Sequence, residues 1–281
     1  MEKAYYGSRV PEKPYIGMTG IENVSQLDRI LSTYKNNAGN LPHQLMMGAL
    51  VSYKSLARLK EDETVLLPAE IEAIFDRLYK MKSDNVLLAL HYFTKPPEKV
   101  DEKYREKVKD IVEASLSRQI GMLTNDLYQK YTRVQMPFEF GVQTNVSWPD
   151  VADFNWIRGS RPRMKTIFQI SDFTKIEDAN NYDATYFLID ASKGRGIGMD
   201  VDKSAEIYKL LQPTGKPIVF AGGLSPENVG ERISQLYNKL GTTNFSIDAE
   251  SSLRTNDRLD LDKVDKYIVE ATSAFKQLKN K

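Results

Sequence analysis

The sequence predicts one closed (β/α)8 barrel, the TIM-barrel fold, and three observations predict it. Short runs of aliphatic, β-branched and aromatic residues alternate with amphipathic stretches, the βα alternation that gives a parallel sheet. Eight such runs can be counted along the chain, the number a closed barrel needs. The length of 281 residues suits a single barrel, and no low-complexity tract or linker marks a second domain.

The elements follow in order. Residues 1–13, around Pro11 and Pro14 and without periodicity, read as a short N-terminal arm, leaving 14–281 for the barrel. Strand 15–18 leads into helix 24–36, and strand 44–52 into helix 68–82, where Pro68 supplies the fixed φ suited to a first turn. Strand 85–93 precedes helix 101–119, whose Val108, Ile111, Val112 and Leu116 approach the spacing of one buried face. The fourth strand is placed at 132–136, followed by a poorly periodic helical piece at 148–157 near Pro149. Because 122–163 is irregular and aromatic-rich, it reads as an insertion before strand five. Strand 166–171, a short helical piece at 176–180, strand 185–190 and helix 202–211 come next. Strand 217–221 runs into helix 226–240, opened by Pro226, and strand 244–247 into helix 261–278. The last helix places Val264, Tyr267, Ile268, Ala271 and Phe275 on one face.

Composition removes many chemistries. Thirty-nine basic against 38 acidic residues leave a net charge of +1, so no overall field gathers nucleic acid or an anionic membrane. The absence of Cys excludes disulfides, thiolate nucleophiles, iron–sulfur clusters and Cys-containing zinc sites. Two histidines, His43 and His91, cannot build a three-His metal site, and no metal is expected. The first residues lack the apolar core of a signal peptide, and the longest aliphatic run, 86–90, is too short to span a bilayer. A cytoplasmic protein without membrane or nucleic-acid partners is therefore expected. The charged run 54–63 and the basic cluster 158–165 read as solvated surface. Tyr5, Tyr6, Tyr53, Trp148 and Trp156 read as core or interface residues.

The most informative stretch is Pro217-Ile218-Val219-Phe220-Ala221-Gly222-Gly223-Leu224-Ser225-Pro226-Glu227-Asn228-Val229. Two glycines between a strand and a helix start let backbone N–H groups approach a phosphate with no Cβ in the way. A plain tight turn with Ser225 as N-cap would use the same residues. Asp190 ends a strand and precedes Ser192, Lys193 and the loop of Gly194, Gly196 and Gly198. That loop lacks the spacing of a dinucleotide fingerprint. Lys193 and Arg195 within it either reach an anion or face solvent.

The segment 221–229 closely resembles the seventh-strand motif of phosphoribosylanthranilate isomerases, barrels that convert a phosphoribosylamine into a ketose by an Amadori rearrangement. Residues 15–24 resemble the family's first strand and loop through Gly17, Thr19 and Glu22. Leu188-Ile189-Asp190-Ala191-Ser192 resembles its sixth strand, and 194–200 the loop that follows. Phe245-Ser246-Ile247-Asp248-Ala249-Glu250-Ser251 resembles its eighth-strand segment, and Leu67-Pro68-Ala69-Glu70 echoes the region after strand two. The resemblance is good from about residue 185 onward, recognisable at 14–30 and faint between.

The resemblance implies a phosphorylated small-molecule ligand held by Gly222, Gly223 and Ser246, with Asp190 as general acid and no cofactor. It also exposes two departures. The family's general base is a first-strand Cys, and that position falls on Ile16, or on Gly17 if the register moves by one. Loss of a positioned base typically removes ~10²–10⁴-fold of rate, so isomerase activity needs a substitute. In the eighth strand a family Gly that leaves room for phosphate is replaced by Asp248, which would repel phosphate if it pointed inward, unless Arg254 or Arg195 offset it. Candidate substitute bases at strand ends are His91, Asp172 and Asp248, with Glu139 also near a predicted end. Each has a structural reading: His91 a hydrogen-bonded residue closing an apolar run, Asp172 a cap on the next turn. Three functions fit: an isomerase-type enzyme on a phosphorylated sugar, a barrel that keeps the phosphate cradle but only binds or scaffolds, and another phosphosugar epimerase or lyase.

Overall fold

The computed structural model describes residues 12–60, 64–132, 136–146, 148–190 and 198–279. Among these, eight parallel strands close in sequence order, with β8 paired back to β1. The strands are β1 (Tyr15–Thr19), β2 (Gln44–Ser52), β3 (Val86–Phe93), β4 (Glu139–Thr144), β5 (Lys165–Ile170), β6 (Tyr186–Asp190), β7 (Ile218–Ala221) and β8 (Ser246–Ala249).

Alternation along each strand divides the core in two. Ile16, Met18, Leu45, Met47, Leu88, Leu90, Phe168, Phe187, Phe220 and Ile247 belong to the layer between sheet and helices. Tyr15, Met46, Leu87, Ala89, Ile167, Tyr186, Leu188 and Val219 form a separate cluster filling the barrel. Every inward position is therefore fixed by parity, including the polar ones at the upper ends of the strands.

The helices are α1 (Ser25–Ala38), a single turn α2 (Tyr53–Leu56), α3 (Pro68–Lys80), α4 (Glu102–Val112), α5 (Leu116–Thr132), α6 (Val151–Ser160), α7 (Val201–Leu211), α8 (Val229–Leu240) and α9 (Leu261–Lys279). A 3₁₀ segment, Phe173–Asn181, stands between β5 and β6, longer than the piece expected at 176–180. The first and last helices pack together, and Arg29 of α1 reaches Asp265 of α9 at 2.6 Å. No helix of the described residues is long and apolar enough to cross a membrane.

Four expectations are corrected. Of the strand expected at 132–136, Thr132 closes α5 and Met136 is coil, while 133–135 lie outside the described residues; β4 begins at Glu139 instead. The reason is the buried stripe of Leu116, Ile120, Leu123, Leu127 and Tyr131, which keeps a helical period up to the residue before the expected strand, so that Thr132 is still helical. The helix expected over 101–119 is thus two helices, and the insertion lies before strand four rather than strand five. A single helix, α6, joins β4 to β5. In β8 the strand runs two residues later than 244–247, because Ser246 pairs with Val219 and Asp248 with Ala221. Most of the N-terminal arm lies outside the described residues.

Candidate active site

Parity places Thr19 of β1, His91 of β3, Gln143 of β4, Gln169 of β5, Asp190 of β6 and Asp248 of β8 inward at the C-terminal ends of their strands. This is the face on which such barrels carry their chemistry. A cavity of about 120 Å³ opens there, bordered by His91, Gln143, Gln169, Asp190 and Asp248, with Gly222 and Gly223 on one side and Glu250 to Ser252 on another.

Asp248 is 5% exposed, and burial is the main force pushing its carboxyl up to about 7. The charges of Glu250 and Asp190 push the same way, whereas His91 and the Thr19 hydroxyl, 3.4 Å from Oδ1, oppose them. Asp190 is 6% exposed and accepts a hydrogen bond from Gln169 Nε2 at 3.0 Å. His91 Nδ1 lies 3.4 Å from Glu250 Oε2. Burial alone would lower the His91 pKa, but Glu250, followed by Asp248 and Asp190, raises it above the ordinary value. Burial would raise Glu250, yet His91 and Arg254 hold it below the usual range. Glu250 sits at the rim with 39% of its side chain exposed, so water screens this pair.

Gly17 is the middle inward position on β1, between Tyr15 and Thr19. Ile16, fully buried, belongs to the layer beneath the helices. Of the two positions onto which the family cysteine falls, only Gly17 points into the barrel, beside Asp248. A Cβ built at Gly17 would lie 2.8 Å from Asp248 Oδ1, 2.9 Å from the Ile247 carbonyl and 2.9 Å from Met46 Cε. Gly17 and Asp248 are register partners across the β1–β8 seam. The space a first-strand side chain would take is filled by the Asp248 carboxylate, pointing inward.

After β7, Gly222 (φ 102°) and Gly223 (φ 67°) adopt conformations that other residues resist. Asn228 ties the turn, donating to the Gly223 carbonyl and accepting from Ser225 N–H, both at 2.9 Å. The helix α8 opens at Val229, three residues later than Pro226. Past β8, the Ser252 hydroxyl donates to the Leu224 carbonyl, joining the two turns.

Other predicted site residues lie elsewhere. Ser246 is the first residue of β8, fully buried, and its Oγ accepts from Tyr15 N–H at 2.9 Å, one inward layer below Asp248. It closes the barrel seam and does not border the cavity, which corrects the expectation of a phosphate contact. Asp172 caps the Phe173–Asn181 segment, accepting from Thr174 N–H at 3.0 Å, and does not border the cavity either. Glu139 stands at the opposite end of its strand, 3.1 Å from Gln44 Nε2. Ser192, Lys193, Gly194, Arg195 and Gly196 lie outside the described residues. Sequence reading missed Thr19, Gln143, Gln169 and Glu250. A correctly placed β4 would have exposed Gln143, two residues beyond the inward Gly141.

A family model, N-(5'phosphoribosyl)anthranilate (PRA) isomerase, matches residues 152–270. No curated protein matches the chain by sequence. Among solved structures, phosphoribosyl anthranilate isomerase from Thermus thermophilus shares 14% identity, covering 92% of this chain and 98% of that one with a TM-score of 0.55. TrpF from Jonesia denitrificans shares 15%, covering 93% and 98%, with a TM-score of 0.55. Phosphoribosyl anthranilate isomerase from Thermotoga maritima shares 16%, covering 92% and 99%, with a TM-score of 0.54. The fold is thus a TIM barrel. Its C-terminal part resembles these isomerases, distantly, in a chain without cysteine.

Proposed function

We propose that the protein is an acid–base isomerase acting on a small phosphorylated sugar derivative, with Asp190 as general acid and Asp248 as the base in place of a thiol. The observation that carries this reading is the Asp248 carboxylate packed against the bare α-carbon of Gly17. A carboxyl raised to about 7 is divided between its two forms at neutral pH, which suits a group that must take a proton and give it back. In an Amadori rearrangement Asp190 delivers a proton to the sugar ring oxygen as the C–O bond opens. Asp248 then removes the proton on the adjacent carbon, whose electrons form the enolamine double bond and neutralise the iminium nitrogen. Asp248 returns that proton to the nitrogen-bearing carbon while the enol O–H proton leaves to water, giving the amino-ketose. Gly222 and Gly223 hold the phosphate through the backbone. Two acids facing one cavity also serve a two-base epimerase, the second reading, favoured by the small cavity volume of about 120 Å³.

The test is turnover of phosphoribosylanthranilate, followed by loss of substrate fluorescence, in the full chain and in Asp190→Asn and Asp248→Asn. Each variant is expected to lose ~10²–10⁴-fold in kcat. Turnover that survives Asp248→Asn removes it as base. No turnover in the parent chain overturns the rearrangement and leaves a phosphate-binding barrel to be screened against phosphorylated epimerase substrates.

A further inference from the structure

A continuous polar chain crosses four neighbouring strands. Glu250 Oε2 is 3.4 Å from His91 Nδ1, and His91 Nε2 is 3.3 Å from Gln143 Nε2. Gln143 Nε2 is also 3.4 Å from Gln169 Oε1, and Gln169 Nε2 donates to Asp190 Oδ2 at 3.0 Å. In this arrangement the bare Nε2 of a neutral His91 accepts from Gln143, and an ionised Asp190 accepts from Gln169. Two atoms of this chain are buried without a hydrogen-bond partner: Gln143 Oε1, and His91 Nδ1, whose 3.4 Å approach to Glu250 is an ion-pair contact rather than a formed hydrogen bond.

We propose that Gln143 and Gln169 are positioning residues forming a two-amide relay, which makes proton uptake at His91 and at Asp190 favour each other. Turning both amides over exchanges donor for acceptor at every link. Gln143 Oε1 then accepts from a protonated His91 Nε2–H and from Gln169 Nε2, gaining two donors. Gln169 Oε1 now faces Asp190, which must donate, and so carries a proton. The mixed states, with only one end protonated, leave two donors or two acceptors facing each other somewhere along the chain. No proton travels through the amides: one proton enters at each end from water, forming one N–H and one O–H bond. The relay rests on the acid role proposed for Asp190 and deepens it. It keeps the acid loaded while His91 is charged, and couples its emptying to the rim.

The sign of the coupling separates this device from plain electrostatics. Among the described residues, the charged groups facing His91 are Glu250, Asp248 and Asp190, and their charges raise its pKa. By charge alone, a protonated His91 favours an ionised Asp190, so the two uptakes would oppose each other. The relay demands the reverse.

The experiment is a pH titration of the intact protein carrying ¹⁵N- and ¹³C-labelled histidine, without substrate. His43, the other histidine, is held down at about 4 by burial, so its transition is separate. The relay predicts an Nδ1–H tautomer for neutral His91 and a His91 titration steeper than a single site, falling to single-site steepness or below in Gln169→Leu. A slope at or below one in the parent chain overturns it, as does an unchanged steep slope in a folded Gln169→Leu. If Gln169→Leu does not fold, Asp190→Asn is read in the same way and must lose the steepness. Turnover is measured separately, so a single-site slope with intact turnover removes the relay and spares the isomerase reading. A steep slope without turnover does the opposite.

Discussion

At position 17 the missing side chain is as informative as any present. The Asp248 carboxylate and the Ile247 carbonyl both lie within 3 Å of where a Cβ would stand, and the carbonyl cannot rotate away. Gly17→Ala is expected to lower stability by about 1–3 kcal/mol, the usual cost of overpacking, measured by urea unfolding. An unchanged midpoint would mean that the carboxylate sits elsewhere. This arrangement was only half legible in the sequence. Gly17 and Asp248 are 231 positions apart in the chain, and their pairing depends on barrel closure at a seam that no local pattern reports. Asp190 was readable because it ends an apolar strand. Gln143 and Gln169 were not, since glutamine at a strand end signals nothing until parity turns it inward.

The elements divide according to how local their causes are. Most strands and helices were legible because each carries its own period, as in β2, found over the same nine residues as expected. The fourth strand was not, because the buried stripe of α5 carries the helix to Thr132, where a run whose composition suits a strand begins. The error at β8 moved Ser246 to the wrong end of its strand. Its real place yields a prediction at this scale. The Ser246 hydroxyl accepts the buried Tyr15 N–H where β8 meets β1, so Ser246→Ala leaves that donor unpaired. A loss of about 1–3 kcal/mol in stability is expected, with ligand affinity unchanged. Calorimetry of both quantities decides: weakened phosphate-ligand binding at constant stability would return Ser246 to the site.

Across the whole molecule, two buried groups tilt stability in opposite directions with pH. Asp248 is raised from 3.8 to about 7, so the folded state holds its proton more tightly, and this contribution is lost as pH rises toward 7. His43, wedged against Phe275 with ring centroids 3.9 Å apart, is lowered from 6.5 to about 4 by burial. Its contribution is present above 6.5 and lost as pH falls toward 4. Each slope is ~1.4 kcal/mol per pH unit, so the two offset each other over the weakly acidic range. Asp248→Asn should uncover the His43 slope, giving a variant whose stability climbs by up to ~3 kcal/mol across that range while the parent stays nearly level. Denaturant titrations at a series of pH values test this, and parallel curves for the two proteins would refute it.

The pairing of β8 with β1, backed by α1 against α9, means that the circle has no privileged starting strand. Lys279, at the end of α9, donates to the carbonyl of Asn40 just ahead of β2, while Lys13, just ahead of β1, reaches Asn85 just ahead of β3, so both ends of the described chain come to the same lower face. That face is remote from the cavity. A short peptide joining Glu12 to Lys279 there, in place of the residues beyond them, with a new opening cut at an exposed lower turn such as Gly241, would permute the order of synthesis while keeping every neighbour among the described residues in place. The fold is thus a ring in which chain order and spatial order are separable, and its carboxylates would meet over the same cavity from either reading frame of the circle.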